Sequence, residues 1–133
     1  MDPSRRVMLP SRWRSHEKEF WVVPWPIGKR DCLMIVPAPR FEKTLAALSG
    51  KSLSDQKALA VQRVIAGTAQ KLKLDSAGRM LIPEILTNAV GIKTDVLFVG
   101  MMDKFEVWDA KRHAEVSKAD EAIAAEAVAG MEL

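Results

Sequence analysis

Two periods divide the chain. Apolar residues recur at every second position in several short runs and at every third or fourth position in longer ones, marking strands and helices respectively. Lys71, Leu72, Lys73 and Leu74 alternate polar and apolar as a half-buried strand does, and Met80, Leu81 and Ile82 form a short apolar strand that stops at Pro83. Residues 20–23 and 32–36 are dense enough in apolar side chains to predict two buried strands. The long turn between them, 24–31, contains Trp25 between two prolines, and its aromatic ring is expected to pack over the sheet end. Residues 96–99 and 105–108 predict a hairpin across 100–104. Helical spacing places helices over 11–18, after Pro39, from Ser54-Asp55 to about Ala66 with Gly67 ending it, over 83–90 with Gly91 at its C-cap, and from Asp109 onward, fraying by Gly130.

The alternating pattern breaks at Asp75-Ser76-Ala77-Gly78. Asp bonds its own backbone two residues on, and Gly accepts a positive φ, so these residues predict a hairpin turn with Asp75 and Arg79 flanking it. The same string occurs at the start of the chain. Asp2-Pro3-Ser4-Arg5-Arg6-Val7-Met8-Leu9-Pro10 lies on Asp75 to Pro83 with Asp on Asp, Arg on Arg, an apolar triplet on an apolar triplet and Pro on Pro. Further on, 32–40 falls on 104–112. The chain therefore reads as an internal duplication: a first repeat over 1–50 that lacks its opening strand, a bridging helix over 51–67, a second repeat over 68–116, and an acidic helical tail over 117–133. Arg5 stands where the second repeat has Gly78, so the first turn has no glycine for a left-handed residue.

Composition narrows the function. With 133 residues, 48% of them hydrophobic and 28% charged, the chain has the balance of a soluble globular protein. No apolar run approaches the ~18 residues of a membrane span, and Met1-Asp2-Pro3 does not open a signal peptide, so a cytoplasmic location without a membrane partner is expected. Cys32 reads as a small buried hydrophobe. His16 is expected to face solvent, and His113 to pack or cap on the last helix. Neither belongs to a nucleophile-base pair or a metal-ligand spacing, and no phosphate loop is present, which argues against an enzyme, a cofactor or a small-molecule substrate. Charge is unevenly spread: residues 1–73 carry 14 Lys and Arg against 6 Asp and Glu, and residues 74–133 carry 6 against 11. A basic half points to a polyanionic partner, nucleic acid before membrane, and Arg12 and Arg14 extend that surface.

A single Asp-x-x-x-Arg pair is most simply a surface ion pair of little worth. Its recurrence in register with the apolar triplets calls for more. An Arg fork suits both phosphate and the guanine edge, and the Asp is expected to hold the turn or aim the Arg.

Together the two D-x-x-x-R strings, Asp75-Ser-Ala-Gly-Arg79-Met-Leu-Ile-Pro83, the strand end Leu97-Phe-Val-Gly100 and Lys104-Phe-Glu-Val-Trp-Asp109 resemble the MraZ family, a branch of the AbrB-like swapped-hairpin DNA-binding proteins. The resemblance is close over 68–116 and looser in the first repeat. It implies an α+β fold, a pseudo-two-fold duplicated AbrB-like swapped-hairpin β-barrel with flanking helices. It further implies a transcriptional regulator of the bacterial division and cell-wall gene cluster that binds repeated elements in promoter double-stranded DNA. Such proteins form ring-shaped homo-oligomers associated with the nucleoid, their turns gathered on one face. Carried over, the DNA-facing residues are Arg6 and Arg79, with Arg5, Ala77 and Gly78 at the turn tips and Asp2 and Asp75 in support. The alternative is an AbrB-like antitoxin or an oligomeric scaffold with a protein partner, for which the Ala- and Glu-rich tail is the candidate segment.

Overall fold

Alternating side chains on the strands determine the layers of this protein. A computed structural model describes residues 1–14, 17–49 and 55–131. Strand β2 (Glu19–Trp25) turns back into β3 (Cys32–Pro37), and this hairpin is the centre of a five-stranded sheet with β4 (Gln70–Lys73), β6 (Val96–Gly100) and β7 (Phe105–Asp109). The order is β4-β2-β3-β7-β6, with every neighbouring pair antiparallel. A separate two-stranded ribbon pairs β1 (Arg6–Met8) with β5 (Arg79–Leu81).

Successive residues of a strand face opposite sides of the sheet. On β2 and β3 both sides are covered, which is why their apolar runs are nearly continuous. Phe20, Val22, Leu33 and Ile35 join Phe105, Val107 and the inward residues of the ribbon, Val7 and Met80, in the main core. The side chains one position along, Val23 and Val36, pack instead with Phe41 and Ile65 from α2 (Ala38–Ser49) and α3 (Gln56–Thr68). Full burial of a side chain such as Phe20 or Ile35 contributes about 1.5–3 kcal/mol, so the two clusters hold ribbon, sheet and helices together.

Short helices follow each ribbon strand: α1 (Ser11–Arg14) after β1 and α4 (Glu84–Ala89) after β5. Trp13 of α1 lies 4.8 Å from the Phe105 ring, closing one end of the core. The last helix, α5 (Ala110–Ala129), starts at Asp109, whose carboxylate accepts from the Arg112 backbone N–H. Asp55 caps α3 in the same manner, accepting from Lys57 and Ala58. No described helix is long and apolar enough to cross a membrane.

Several expectations need correction. Residues 75–78 do not join a hairpin: β4 leaves them to pair with β2, while β5 pairs with β1. The turn closes on the Asp75 carboxylate and on two backbone bonds of its own, and each flanking strand takes a different partner. Among the described residues no sheet closes into a barrel, because the five-stranded sheet ends at β4 on one side and β6 on the other. The helix predicted over 11–18 is helical at 11–14, and its residues 15–16, His16 included, lie outside the described residues, as do Gly50 and Ser54. Gly67 lies inside α3, which runs on to Thr68, whereas α5 ends at Ala129 with Gly130 as its C-cap, as expected. Cys32 is buried and unpaired, with its thiol pushed up by burial and by the nearby Glu106 carboxylate. Trp25 packs beside the Val23 and Phe41 cluster, and His113 meets the Trp108 ring edge-on at 5.3 Å.

Candidate nucleic-acid interface

Each Asp-x-x-x-Arg turn is organised by its carboxylate. In the first, Asp2 Oδ1 accepts the backbone N–H groups of Ser4 and Arg6, both at 2.9 Å, and Oδ2 accepts Arg6 Nε at 3.0 Å. In the second, Asp75 Oδ1 accepts the N–H groups of Ala77 and Arg79, both at 2.9 Å, and Oδ2 accepts Arg79 Nε at 2.9 Å. Backbone bonds repeat as well. Arg5 N–H donates to Asp2 O and Asp2 N–H to Arg6 O, as Gly78 N–H donates to Asp75 O and Asp75 N–H to Arg79 O. Every bond of one turn has its counterpart in the other. Both carboxyls are held below the usual carboxylate range, chiefly by the N–H of Arg6 and of Arg79.

The third residue of each turn tip is left-handed, with φ of 83° at Gly78 and 60° at Arg5. Glycine adopts this conformation without penalty, whereas for Arg it costs roughly 1–2 kcal/mol. Arg5 thus forms the same turn without glycine, held in it by the bonds around it.

Pairing of β1 with β5 then brings the two arginines together. Arg6 lies opposite Leu81 and Met8 opposite Arg79, with Val7 and Met80 between them turned into the core. Arg6, Met8, Arg79 and Leu81 therefore share the outer face of the ribbon. Arg6 and Arg79 are diagonal neighbours, a spacing of ~7–8 Å between backbones. Met8 and Leu81 are 49% and 57% exposed, so an apolar strip separates the two guanidinium groups. Because each Asp takes the Nε of its Arg, the terminal Nη1/Nη2 fork is left for a partner. That fork matches the O6 and N7 acceptors of guanine in the major groove and a phosphate equally well.

Each turn is also tied to the other half of the chain. Leu9 N–H donates to Gly78 O at 3.2 Å, and Ile82 N–H donates to Arg5 O at 2.9 Å. Two side chains arrive from neighbouring helices. Arg14 of α1 crosses the Asp75–Arg79 turn and donates from Nη1 to Ala77 O at 3.2 Å, while Glu84 of α4 approaches Arg5 at 3.6 Å. The sequence marks Arg14 only as part of a basic surface, and Glu84 is the acid in the first turn of α4; their seats at the turns come from the tertiary fold. Among the described residues no cluster of three or more His, Cys, Asp or Glu could hold a metal.

Comparison with known proteins identifies the family of this chain. A family profile described as "MraZ protein, putative antitoxin-like" matches residues 65–131. The chain is 35% identical over 124 residues to a protein of Bordetella pertussis named Transcriptional regulator MraZ, covering 86% of this chain and 83% of that one. It is 30% identical over 118 residues to the protein of that name from Finegoldia magna, covering 88% and 80%, and 34% identical over 115 residues to that of Proteus mirabilis, covering 82% and 74%. With two bonded D-x-x-x-R turns on one ribbon and relatives matching over most of its length, the chain belongs to the MraZ family.

Proposed function

We propose that this protein is a DNA-binding transcriptional regulator whose ribbon of β1 and β5 meets double-stranded DNA. The observation that carries the reading is the shared outer face on which Arg6 and Arg79 stand, each aimed by its own Asp. The name borne by its relatives supports a regulatory role. Arg6 and Arg79 read guanine edges or hold phosphates; Arg5, Ala77 and Gly78 form the tips; Asp2 and Asp75 hold the turns. The exchange of β4 onto β2 and of β5 onto β1 supports an AbrB-like swapped-hairpin layout with repeats over 1–50 and 68–116, a bridge over 51–67 and a tail over 117–133. As the family resemblance implies, the operator is a set of repeated elements in the promoter of the division and cell-wall cluster. The protein acts at the nucleoid, in the cytoplasm, as a ring of copies. A ring presents the turns many times over and gains avidity on spaced elements without new contacts.

The test is fluorescence anisotropy on the DNA upstream of the protein's own gene, against a scrambled duplex, for wild type, Arg79→Ala and Arg6→Ala. Loss of the preference for the promoter in both variants is the expected result, a bidentate base contact being worth about 1–3 kcal/mol. Equal binding of promoter and scrambled DNA by wild type would favour a protein-partner role, antitoxin or scaffold. For that second reading the relevant observation is α5, on which no residue is buried.

A further inference from the structure

We propose that Arg14 is a third DNA-binding residue, a guanidinium delivered by α1 onto the tip of the Asp75–Arg79 turn, where it binds a backbone phosphate of double-stranded DNA. The inference rests on the DNA-binding reading above and adds a residue outside the D-x-x-x-R pattern.

The two turns share their bonds but differ in where the tip obtains its second cation. In the first turn Arg5 itself occupies the left-handed position, and Glu84 stands against it at 3.6 Å. At the matching position of the second turn is Gly78, and the space its missing side chain leaves is filled by Arg14. A Cβ built on Gly78 would lie 2.6 Å from Arg14 Nη1 and 2.7 Å from its Cδ. Glycine here therefore serves two purposes, a left-handed backbone and a seat for an arginine from the other end of the chain. Arg14 is held in that seat by Nη1, which donates to Ala77 O at 3.2 Å and approaches Met8 Sδ at 3.3 Å.

Charge separates the two tips. Counting side chains alone, Arg5 and Arg6 face Asp2 and Glu84 at the first tip, whereas Arg14 and Arg79 face Asp75 alone at the second. Chemistry also separates the arginines. Arg79 gives Nε to Asp75 and keeps the Nη1/Nη2 fork needed for guanine, whereas Arg14 commits Nη1 to the turn. What remains of a five-donor group suits a phosphate oxygen, which asks for charge and one donor and not for a fork. Arg14 thus fixes the register of the turn on the DNA backbone, and Arg79 carries the sequence preference.

The experiment measures binding of the promoter and scrambled duplexes across a salt series for wild type, Arg14→Gln, Arg14→Lys and Arg79→Gln, with thermal melts of each. Arg14→Met, which keeps the aliphatic stem, is run beside Arg14→Gln, and the result is taken from the variant that melts as wild type does. The expected outcome is a uniform loss of affinity for both duplexes. The slope of log K against log salt should become shallower by about 0.9 per engaged subunit, and Arg14→Lys should restore it. An unchanged slope, a loss confined to the promoter duplex, or unfolding of both neutral variants would overturn the proposal and leave Arg14 as a staple between α1 and the turn. If Arg79→Gln also binds both duplexes as wild type does, it is the DNA-binding reading that fails.

Discussion

Arg112 and Asp31, 81 positions apart, meet at 2.6 Å, joining the last helix to the turn between β2 and β3. The matching pair in the other half, Arg40 with Asp103, meets at 2.5 Å and joins α2 to the turn between β6 and β7. The two pairs are alike in distance and unlike in burial: the Asp31 side chain is 11% exposed, that of Asp103 44%. An unpaired carboxylate out of water is costly, whereas an exposed pair is worth little. Arg112→Ala is expected to lower the melting temperature by several degrees. Arg40→Ala should move it by no more than about a degree. Calorimetry on the two variants side by side checks the contrast, and equal shifts would refute it.

The Asp75 carboxyl is held below the usual range by the N–H groups of Arg79 and Ala77 and by the Arg79 guanidinium. A lowered carboxyl stabilises the fold fully above its ordinary pKa, about 3.9. That contribution is lost as pH falls from there through the lowered folded value. The melting difference between wild type and Asp75→Asn should accordingly be constant from neutral pH down to about pH 5 and vanish in stronger acid. At neutral pH Asp75→Ala is expected to stay folded and to weaken DNA binding, since Arg79 loses its aim. Circular dichroism over a pH series, with binding at pH 7, tests both statements.

Gly78→Ala meets two obstacles, a φ of 83° and the Arg14 side chain. Since Arg14 is flexible at its end, the backbone term dominates, and the loss of stability is expected to be about 1–2 kcal/mol. The converse change, Arg5→Gly, removes the left-handed penalty and should leave stability unchanged or raise it by up to ~1 kcal/mol, the gain being offset by greater freedom of the unfolded chain. Chemical denaturation should show a clear loss of stability for Gly78→Ala and none for Arg5→Gly.

Glu84 is 63% exposed and stands 3.6 Å from Arg5, weak as a stabilising pair but well placed to offset that charge toward a polyanion. Glu84→Gln is expected to leave the melting temperature within about a degree. It should raise DNA affinity several-fold at low salt and steepen the salt dependence. A variant that binds as wild type does would exclude the first turn tip from the DNA contact.

How much of this could be read beforehand depends on the distance over which each feature acts. The Asp-x-x-x-Arg turns are local, formed by atoms within five residues, and their carboxylate bonds follow from residue type and spacing. The recurrence of the string is legible for the same reason, because Asp2, Arg6 and Pro10 fall on Asp75, Arg79 and Pro83 with an apolar triplet between Arg and Pro in each. Strand and helix periods likewise report which face of an element is buried. They say nothing of which strand lies alongside: the sequence predicts Lys71 to Leu74 as one arm of a hairpin with Met80 to Ile82, while the fold sets it against β2. Arg14 meets Ala77 and Gly78, 63 and 64 positions away, and none of these residues carries a local mark of the contact. Arg5 is the converse case. Its side chain argues against a left-handed turn, and the local bond from its N–H to Asp2 O, with the long-range bond from Ile82 N–H to its own O, overrides that preference.

The bonds from Leu9 to Gly78 and from Ile82 to Arg5 have a temporal meaning. During synthesis the strand that Arg6 pairs with is made some seventy residues after it, seconds later at ~5–20 residues per second. Until then β1 has no ladder partner, and the loop that must close is long, which slows the pairing further. The arginine face of the ribbon therefore comes into existence only when most of the chain is present, and an interrupted nascent fragment carries the first Asp-x-x-x-Arg string without the surface to which it belongs.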